Sequence, residues 1–366
     1  AAVLLLATTA AAGWAITDPA RAVRAFVSTL IVACPCALAL AAPFALGSAL
    51  RFLGQRRFFL KNADIIEQLA RIDTIVFDKT GTLTKAGEIR YTGTPLAAGE
   101  RRAVRAVAAH STHPLSRSIA GPADEVWPEV TDFREEAGRG VQGRAGGHTV
   151  VLGSAGWLRD NGVAGAEQGT AVAVDGRYRG YYLPDPSYRT DLPDLIARLG
   201  TRFQLAVFSG DSDREAERLR GWFGPTADLR FQQQPGDKLE AVRQKQAAGA
   251  SVLMLGDGLN DAGALRQAEV GVAVTDDISA FSPACDGILD AAQLGQLPAL
   301  LAFARGTIRV IKICFALSIV YNVVGLSFAM RGLLSPLVSA VLMPLSSVSI
   351  VAFALLATRW VAKRST

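Results

Sequence analysis

The chain has 366 residues, half of them hydrophobic, a formal net charge of +5 and four cysteines. So few cysteines exclude a disulfide scaffold and point to a reducing cytoplasmic setting. The basic residues flank apolar runs instead of interleaving with aromatics, which excludes nucleic acid as a partner, and the crowding of apolar residues at both ends excludes a purely soluble protein.

In chain order, residues 2–16 read as the remainder of a longer membrane helix that stops at Thr17-Asp18-Pro19. Residues 23–50 read as a span interrupted by Pro35 and Pro43, and residues 313–330 and 337–358 as two more, four spans in all. Arg51, Arg56, Arg57 and Lys61 follow the second run; Arg305, Arg309 and Lys312 precede the third; Arg359, Lys363 and Arg364 close the chain. By the positive-inside rule all three clusters, and the region between the spans, face the cytoplasm. The chain starts within an apolar run with no charged leader, which reads as a fragment and not as a signal peptide. Cys285 and Cys314 are isolated and read as small buried hydrophobes.

Between the membrane runs, residues 73–77, 203–208 and 251–255 read as buried strands, each ending near an Asp or a Gly-Asp. Ligand groups gathered at strand carboxyl ends predict a doubly wound parallel sheet with one convergent site. Residues 86–182 are rich in glycine and short valine-bearing strands, and predict an inserted α+β domain.

An aspartyl phosphate needs a carboxylate nucleophile, a magnesium ion, and cations or donors on the remaining phosphoryl oxygens. Asp78, in the run Asp78-Lys79-Thr80-Gly81-Thr82-Leu83-Thr84, is the nucleophile candidate. Ser209-Gly210-Asp211 offers a hydroxyl and backbone donors, Lys238 a positive charge, and Asp257 and Asp261 of Gly256-Asp257-Gly258-Leu259-Asn260-Asp261 carboxylates for magnesium. These motifs resemble the P-type ATPases within the haloacid dehalogenase superfamily. The resemblance implies membrane α-helices joined to a haloacid-dehalogenase-like, doubly wound phosphorylation domain that carries an inserted α+β nucleotide-binding domain. It divides the chain at 1–60 (two membrane helices with a Cys-Pro-Cys metal site), 61–85 and 183–300 (phosphorylation domain), 86–182 (nucleotide-binding domain) and 301–366 (two membrane helices). It further implies that ATP phosphorylates Asp78, that Asp78, the Thr80 carbonyl and Asp257 hold Mg2+, that Ser209 and Lys238 steady the phosphoryl group, and that Lys79, Asn260 and Asp261 belong to the same catalytic set.

Ser111-Thr112-His113-Pro114 resembles the His-Pro signature of the heavy-metal branch, in which the imidazole lies by the adenine. Gly138-Arg139-Gly140-Val141 resembles that branch's glycine pair, which lets backbone approach the nucleotide, and Gly153 of Leu152-Gly153-Ser154 joins this set. The branch usually carries Glu five residues before the His and Asn at the Ser154 position; Ala108 and Ser154 stand here, so adenine recognition is expected to be looser or differently built.

Cys34-Pro35-Cys36 lies within an apolar run, where a proline break frees a carbonyl and a thiolate pair suits a soft cation. Tyr321-Asn322 and Met343-Pro344-Leu345-Ser346-Ser347 resemble the Cu(I) exporters, whereas zinc and cadmium exporters carry an Asp in the last helix and residues 337–358 hold none. The resemblance therefore implies ATP-driven Cu(I) export, with Ag(I) accepted, in the lipid of a bacterial plasma membrane, with copper supplied by a cytoplasmic chaperone. The wording around Cys36, with Ser209 where many copper exporters have Thr, resembles the subgroup that serves haem-copper oxidase assembly. Rival readings are Zn(II) or Cd(II) export, a membrane-tethered phosphatase of the same superfamily, and a non-catalytic metal-binding fragment. Such phosphatases carry a general-acid Asp two residues after the nucleophile, where Thr80 stands here. The family's Thr-Gly-Glu actuator loop does not occur in these 366 residues, which are expected to be phosphorylated but to turn over poorly.

Overall fold

The structure, a computed structural model, describes residues 2–34, 36–84, 89–121, 127–136, 138–166, 169–184, 187–258, 261–276 and 285–364. Of the candidate residues, Asn260 lies outside the described set, and Cys36 and Pro114 are described as backbone alone. The chain divides into two compact units, Ala1–Thr82 with Asp191–Thr366, and Leu83–Thr190. The inserted domain is expected at 86–182; the second compact unit runs from Leu83 to Thr190.

The elements run α1 (Ala2–Trp14), α2 (Pro19–Val32), α3 (Cys36–Gln55), β1 (Phe58–Leu60), α4 (Asp64–Arg71) and β2 (Thr74–Asp78). The second unit contributes β3 (Ile89–Gly93), α5 (Ala98–Ala109), α6 (Pro114–Ala120), β4 (Val130–Glu136), β5 (Gly140–Ala145), β6 (His148–Gly153), α7 (Ala155–Asp160), β7 (Thr170–Val174) and β8 (Arg177–Pro184). The first unit resumes with α8 (Leu192–Gly200), β9 (Gln204–Phe208), α9 (Ala216–Phe223), β10 (Asp228–Arg230), α10 (Pro235–Ala247), β11 (Val252–Gly256), α11 (Ala262–Gln267), β12 (Val270–Thr275), β13 (Gly287–Asp290), α12 (Leu297–Met330) and α13 (Pro336–Arg364).

In the first unit the strands form one sheet in the order β1-β13-β12-β11-β2-β9-β10. Only the β1–β13 edge is antiparallel. Strands β2 and β11 are buried along their whole length, as apolar runs in a parallel sheet covered on both faces must be. Strand order reverses at β2, with β11 and β12 on one side and β9 and β10 on the other, so the carboxyl ends of β2, β9 and β11 border one crevice. The register sets Asp78 beside Phe208 and Phe77 beside Leu255. The three predicted strands are therefore present, each shifted by about one residue from its expected limits.

The membrane segments depart further from expectation. Residues 23–50 break at the Cys-Pro-Cys turn as expected, but not at Pro43, and the first helix starts before Val23. Asp18 caps a helix that starts at Pro19, its Oδ1 accepting from the Arg21 amide at 2.9 Å, and that helix ends before the Cys-Pro-Cys turn. Helix α3 then runs through Pro43 to Gln55. The helix that carries the third span begins at Leu297, well before Ile313: its first turns bury Leu300, Leu301, Phe303 and Ala304, and the Arg305 Nη2 donates to the Ile72 carbonyl at 2.9 Å while the guanidinium stacks over Phe203. A charged segment thus remains helical because it packs on the α/β domain. Among the described residues two helices, the one ending at Met330 and α13, are long and apolar enough to cross a membrane.

The second unit is a six-stranded antiparallel sheet, β3-β8-β7-β6-β5-β4. Alternation along β6 separates its two cores: Val150 and Leu152 pack with Ala103, Val104 and Val107 of α5, while Val151 packs with Trp157 and Leu158 of α7.

Candidate active site

Asp78 is the last residue of β2 and is almost fully buried. After it the chain leaves the sheet in an irregular turn, with Thr80 extended and Gly81 at φ +75, a left-handed conformation that favours glycine. Asp257 follows β11 and closes over that turn, since a Cβ at Gly81 would stand 3.4 Å from the Asp257 Cβ. Lys238 lies in the first turn of α10, itself begun by Pro235, and its Nζ reaches Asp78 Oδ1 at 2.5 Å and Asp261 Oδ1 at 2.7 Å. All three side chains are under a tenth exposed.

Two carboxylates and one ammonium in a buried space perturb one another. Burial first, and then the charge of Asp261, push Asp78 up to about 7 against the opposing pull of Lys238. Asp261 is likewise raised, chiefly by burial. Burial works against the charge of Lys238, but the two carboxylates outweigh it and hold the ammonium above the ordinary lysine value. A carboxylate raised from 3.8 to about 7 binds more protons folded than unfolded in that window, so its contribution to stability is present below about pH 4 and is lost as pH rises through about 7. Denaturation midpoints measured in EDTA between about pH 5 and about pH 7.5 are therefore expected to fall more steeply for the native chain than for Asp78→Asn. Parallel profiles for the two proteins would contradict this reading.

The other residues of the set take different posts. Ser209 follows β9 and is fully buried, its amide donating to the Arg230 carbonyl at 2.9 Å and its Oγ accepting from the Asp211 amide at 3.1 Å. The Lys79 ammonium turns to Asp211 at 2.7 Å and Glu215 at 3.1 Å, and Thr80 Oγ1 donates to Asp211 Oδ2 at 3.0 Å. Asp211 is pulled up by burial, but Lys79, Thr80 and Lys238 together outweigh that and hold it below the usual carboxylate value. Lys79 thus fastens the turn after β2 to the loop after β9, a role the sequence did not reveal because Glu215 belongs to no recognisable motif.

The described residues contain no cluster of three or more His, Cys, Asp or Glu side chains arranged for a metal. Mg2+ does not need one, because it keeps several waters and takes few protein oxygens. Asp78, Asp257 and the Thr80 carbonyl are hard oxygen donors on two adjoining turns, and among the described residues the buried Asp261 Oδ2 has no hydrogen-bond partner. The residues present fit the ion.

In the second unit a cavity of about 260 Å³ is lined by residues that include Ser111, His113, Glu135, Gly138, Gly140 and Gly153. It brings together every sequence-predicted nucleotide residue whose side chain is described. His113 caps α6, its Nδ1 accepting from the Leu115 amide at 3.3 Å, which leaves the ring proton on Nε2. Gly138 turns with φ +75. The reason for the next glycines differs from the expected one: Gly140 and Gly153 face each other across β5 and β6, and a Cβ at Gly140 would come within 2.4 Å of the Leu152 carbonyl and 2.5 Å of the Trp157 ring. Their first duty is strand packing. Ser111 stood in the sequence only as the first residue of the His-Pro signature, with no role of its own, and Glu135 stood in no motif.

Among the membrane helices, Met343 is buried with Val32 and Ala329, and Tyr321 packs against the same cluster. The Ser346 and Ser347 hydroxyls donate to the Met343 carbonyl at 2.8 and 3.1 Å, and the Tyr321 hydroxyl to the Leu342 carbonyl at 3.1 Å. Asn322 is half-buried on α12, one residue after Tyr321. Cys34, which follows α2, is exposed.

Residues 72–269 match the family model of the haloacid dehalogenase-like hydrolases. The chain is 34% identical, over 96% of its length, to a copper-exporting P-type ATPase of Mycobacterium tuberculosis, and 31% identical, over 97%, to one of Legionella pneumophila. It spans about half the length of the curated relatives it matches, 48% and 52% in these two. Among solved structures, a zinc-transporting PIB-type ATPase in its E2.Pi state aligns with TM-score 0.66 at 26% identity, covering 98% of this chain and 61% of that one. The catalytic domain of the CPx-ATPase CopB-B aligns with TM-score 0.53 at 28% identity, covering 69% of this chain and 97% of that one.

Proposed function

Because this chain belongs to the haloacid dehalogenase-like hydrolase family, we propose that it is the catalytic and metal-conducting part of a P-type ATPase that exports Cu(I) through an aspartyl phosphate at Asp78. The observation that carries the reading is the buried Asp78 at the strand reversal, with the Lys238 ammonium 2.5 Å from its oxygen. An Asp78 carboxylate oxygen attacks the γ-phosphorus of ATP; the new O–P bond forms as the bond from phosphorus to the β,γ-bridging oxygen breaks, and ADP departs with that electron pair. Lys238 follows the charge onto the phosphoryl oxygens, and Ser209 offers its hydroxyl proton to one of them. Mg2+, held by Asp78, Asp257 and the Thr80 carbonyl, would supply charge neutralisation on the phosphate. Thr80 has no acid to lend to dephosphorylation, which favours a persistent phosphoenzyme over the tethered phosphatase.

ATP is assigned to the cavity of the Leu83–Thr190 unit, with the base by His113. The transported ion is assigned to Cys34 and Cys36, with Tyr321, Asn322, Met343, Ser346 and Ser347. Copper is favoured over zinc because Met343 is buried in α13 and that helix contains no acidic residue. The domain limits at 1–60, 61–85, 86–182, 183–300 and 301–366, the bacterial plasma membrane with cytoplasmic catalytic domains, acceptance of Ag(I) and delivery by a cytoplasmic copper chaperone belong to the same proposal.

Phosphorylation by ATP in the presence of a reductant and Cu(I), Ag(I), Zn(II) or Cd(II), run side by side, tests it. Stimulation is expected with Cu(I) and Ag(I), and is expected to fall at least about tenfold in Cys34→Ser, which removes a soft ligand. Stimulation by Zn(II) alone would contradict the metal assignment.

A further inference from the structure

We propose that Glu135 reads the adenine base and sets the preference of this chain for ATP over GTP. The proposal rests on the nucleotide-binding reading of the cavity in the Leu83–Thr190 unit. Glu135 stands near the end of β4 and lines that cavity together with His113. Ser111, only 3% exposed, ties the two together: its Oγ donates to Glu135 Oε1 at 2.6 Å and accepts from the His113 amide at 3.1 Å. A buried hydroxyl therefore fixes a carboxylate beside the imidazole assigned to the base.

That carboxylate keeps acceptor capacity for a ligand. One hydroxyl occupies a single site on Oε1, and a carboxylate offers about four lone-pair sites. Among the described residues Glu135 has no ion pair, whereas the next residue, Glu136, is paired with Arg139 at 2.9 Å. An uncompensated negative charge repels a triphosphate and attracts a donor, so this end of the cavity suits a base with an exocyclic amine. Adenine presents its N6 amine as donor; guanine presents the O6 acceptor at the same ring position, lone pairs against lone pairs. On α5, position 108 is a fully buried alanine that can offer no acceptor. The acceptor comes from β4 instead.

Affinities of the full chain for ATP and GTP, measured by titration calorimetry, test this. The native chain is expected to prefer ATP by about tenfold or more, the scale of one hydrogen bond to a charged group. Glu135→Gln is expected to bring the two affinities within about threefold, because an amide can accept from adenine or rotate to donate to guanine. Glu135→Asp keeps the charge and is expected to hold a preference above that of Glu135→Gln, and Ser111→Ala, which frees the carboxylate, to lose part of it. An unchanged ATP to GTP ratio in Glu135→Gln, or an equal loss of both nucleotides, would overturn the proposal. A native chain that binds neither nucleotide would overturn the cavity assignment beneath it, and the proposal with it.

Discussion

Asp78→Asn is expected to lower phosphorylation by ATP at least about 10³-fold, because an amide oxygen cannot replace the nucleophilic carboxylate. The fold should tolerate the change. Asparagine has nearly the same shape, and Lys238 keeps Asp261 at 2.7 Å as a partner. The substitution also removes one of two like charges that face each other in a buried space, a repulsion that adds to burial in raising Asp78. ATP affinity is expected to stay within about twofold, since the cavity assigned to the nucleotide lies in the Leu83–Thr190 unit. Acid-quenched labelling with γ-phosphate-labelled ATP, beside calorimetric ATP binding on the same preparation, separates the two effects. A labelled Asn variant would remove Asp78 from the chemistry.

Lys238→Met is the second large effect, and it reaches both stability and rate. The methionine fills much of the space but leaves two buried carboxylates, with side chains 5% and 1% exposed, facing each other without a cation. Breaking a buried pair in this way costs about 3–5 kcal/mol. The loss should be greatest at about pH 8 without divalent metal and should shrink at about pH 5.5, where Asp78, already held up to about 7, takes a proton. Phosphorylation should fall by about 10²–10³-fold, because the charge placed for the phosphoryl oxygens is gone. Urea denaturation at the two pH values reads the first effect and labelling reads the second. A variant equally destabilised at both pH values would mean that lost packing, and not lost charge, is responsible.

How much of this was legible in the sequence follows from burial. Strands β2, β9 and β11 are covered by helices on both faces, so they appear as uninterrupted apolar runs, and the residue that ends each run is the one that reaches the crevice. Edge strands β1 and β10 are only three residues long, Phe-Phe-Leu being too short to stand out as a strand and Asp-Leu-Arg being mostly charged, so neither is legible in the sequence. The early start of α12 was hidden because Arg305, Arg309 and Lys312 read as flanks of a span, while the apolar residues before them pack on the α/β domain. In the nucleotide unit His113 and the glycines stand in short signatures, but Gly140 and Gly153 look alike in sequence whether they admit a ligand or a neighbouring strand. Only the 2.4 Å approach of the Leu152 carbonyl decides between these. Glu135 lay in an exposed, charged strand with nothing to separate it from Glu136 until Ser111 was seen to hold it.

The central claim is that ATP places its γ-phosphate on Asp78, and mapping the phosphorylated residue in the native chain tests it most directly. After brief exposure to ATP and Mg2+ and an acid quench, the phosphate is expected to survive acid, to be released by hydroxylamine, and to map by reductive trapping and peptide mass spectrometry to the strand-end peptide containing Asp78. A phosphate that resists hydroxylamine and maps to a serine or threonine, or no incorporation at all by a chain that binds ATP, would contradict it.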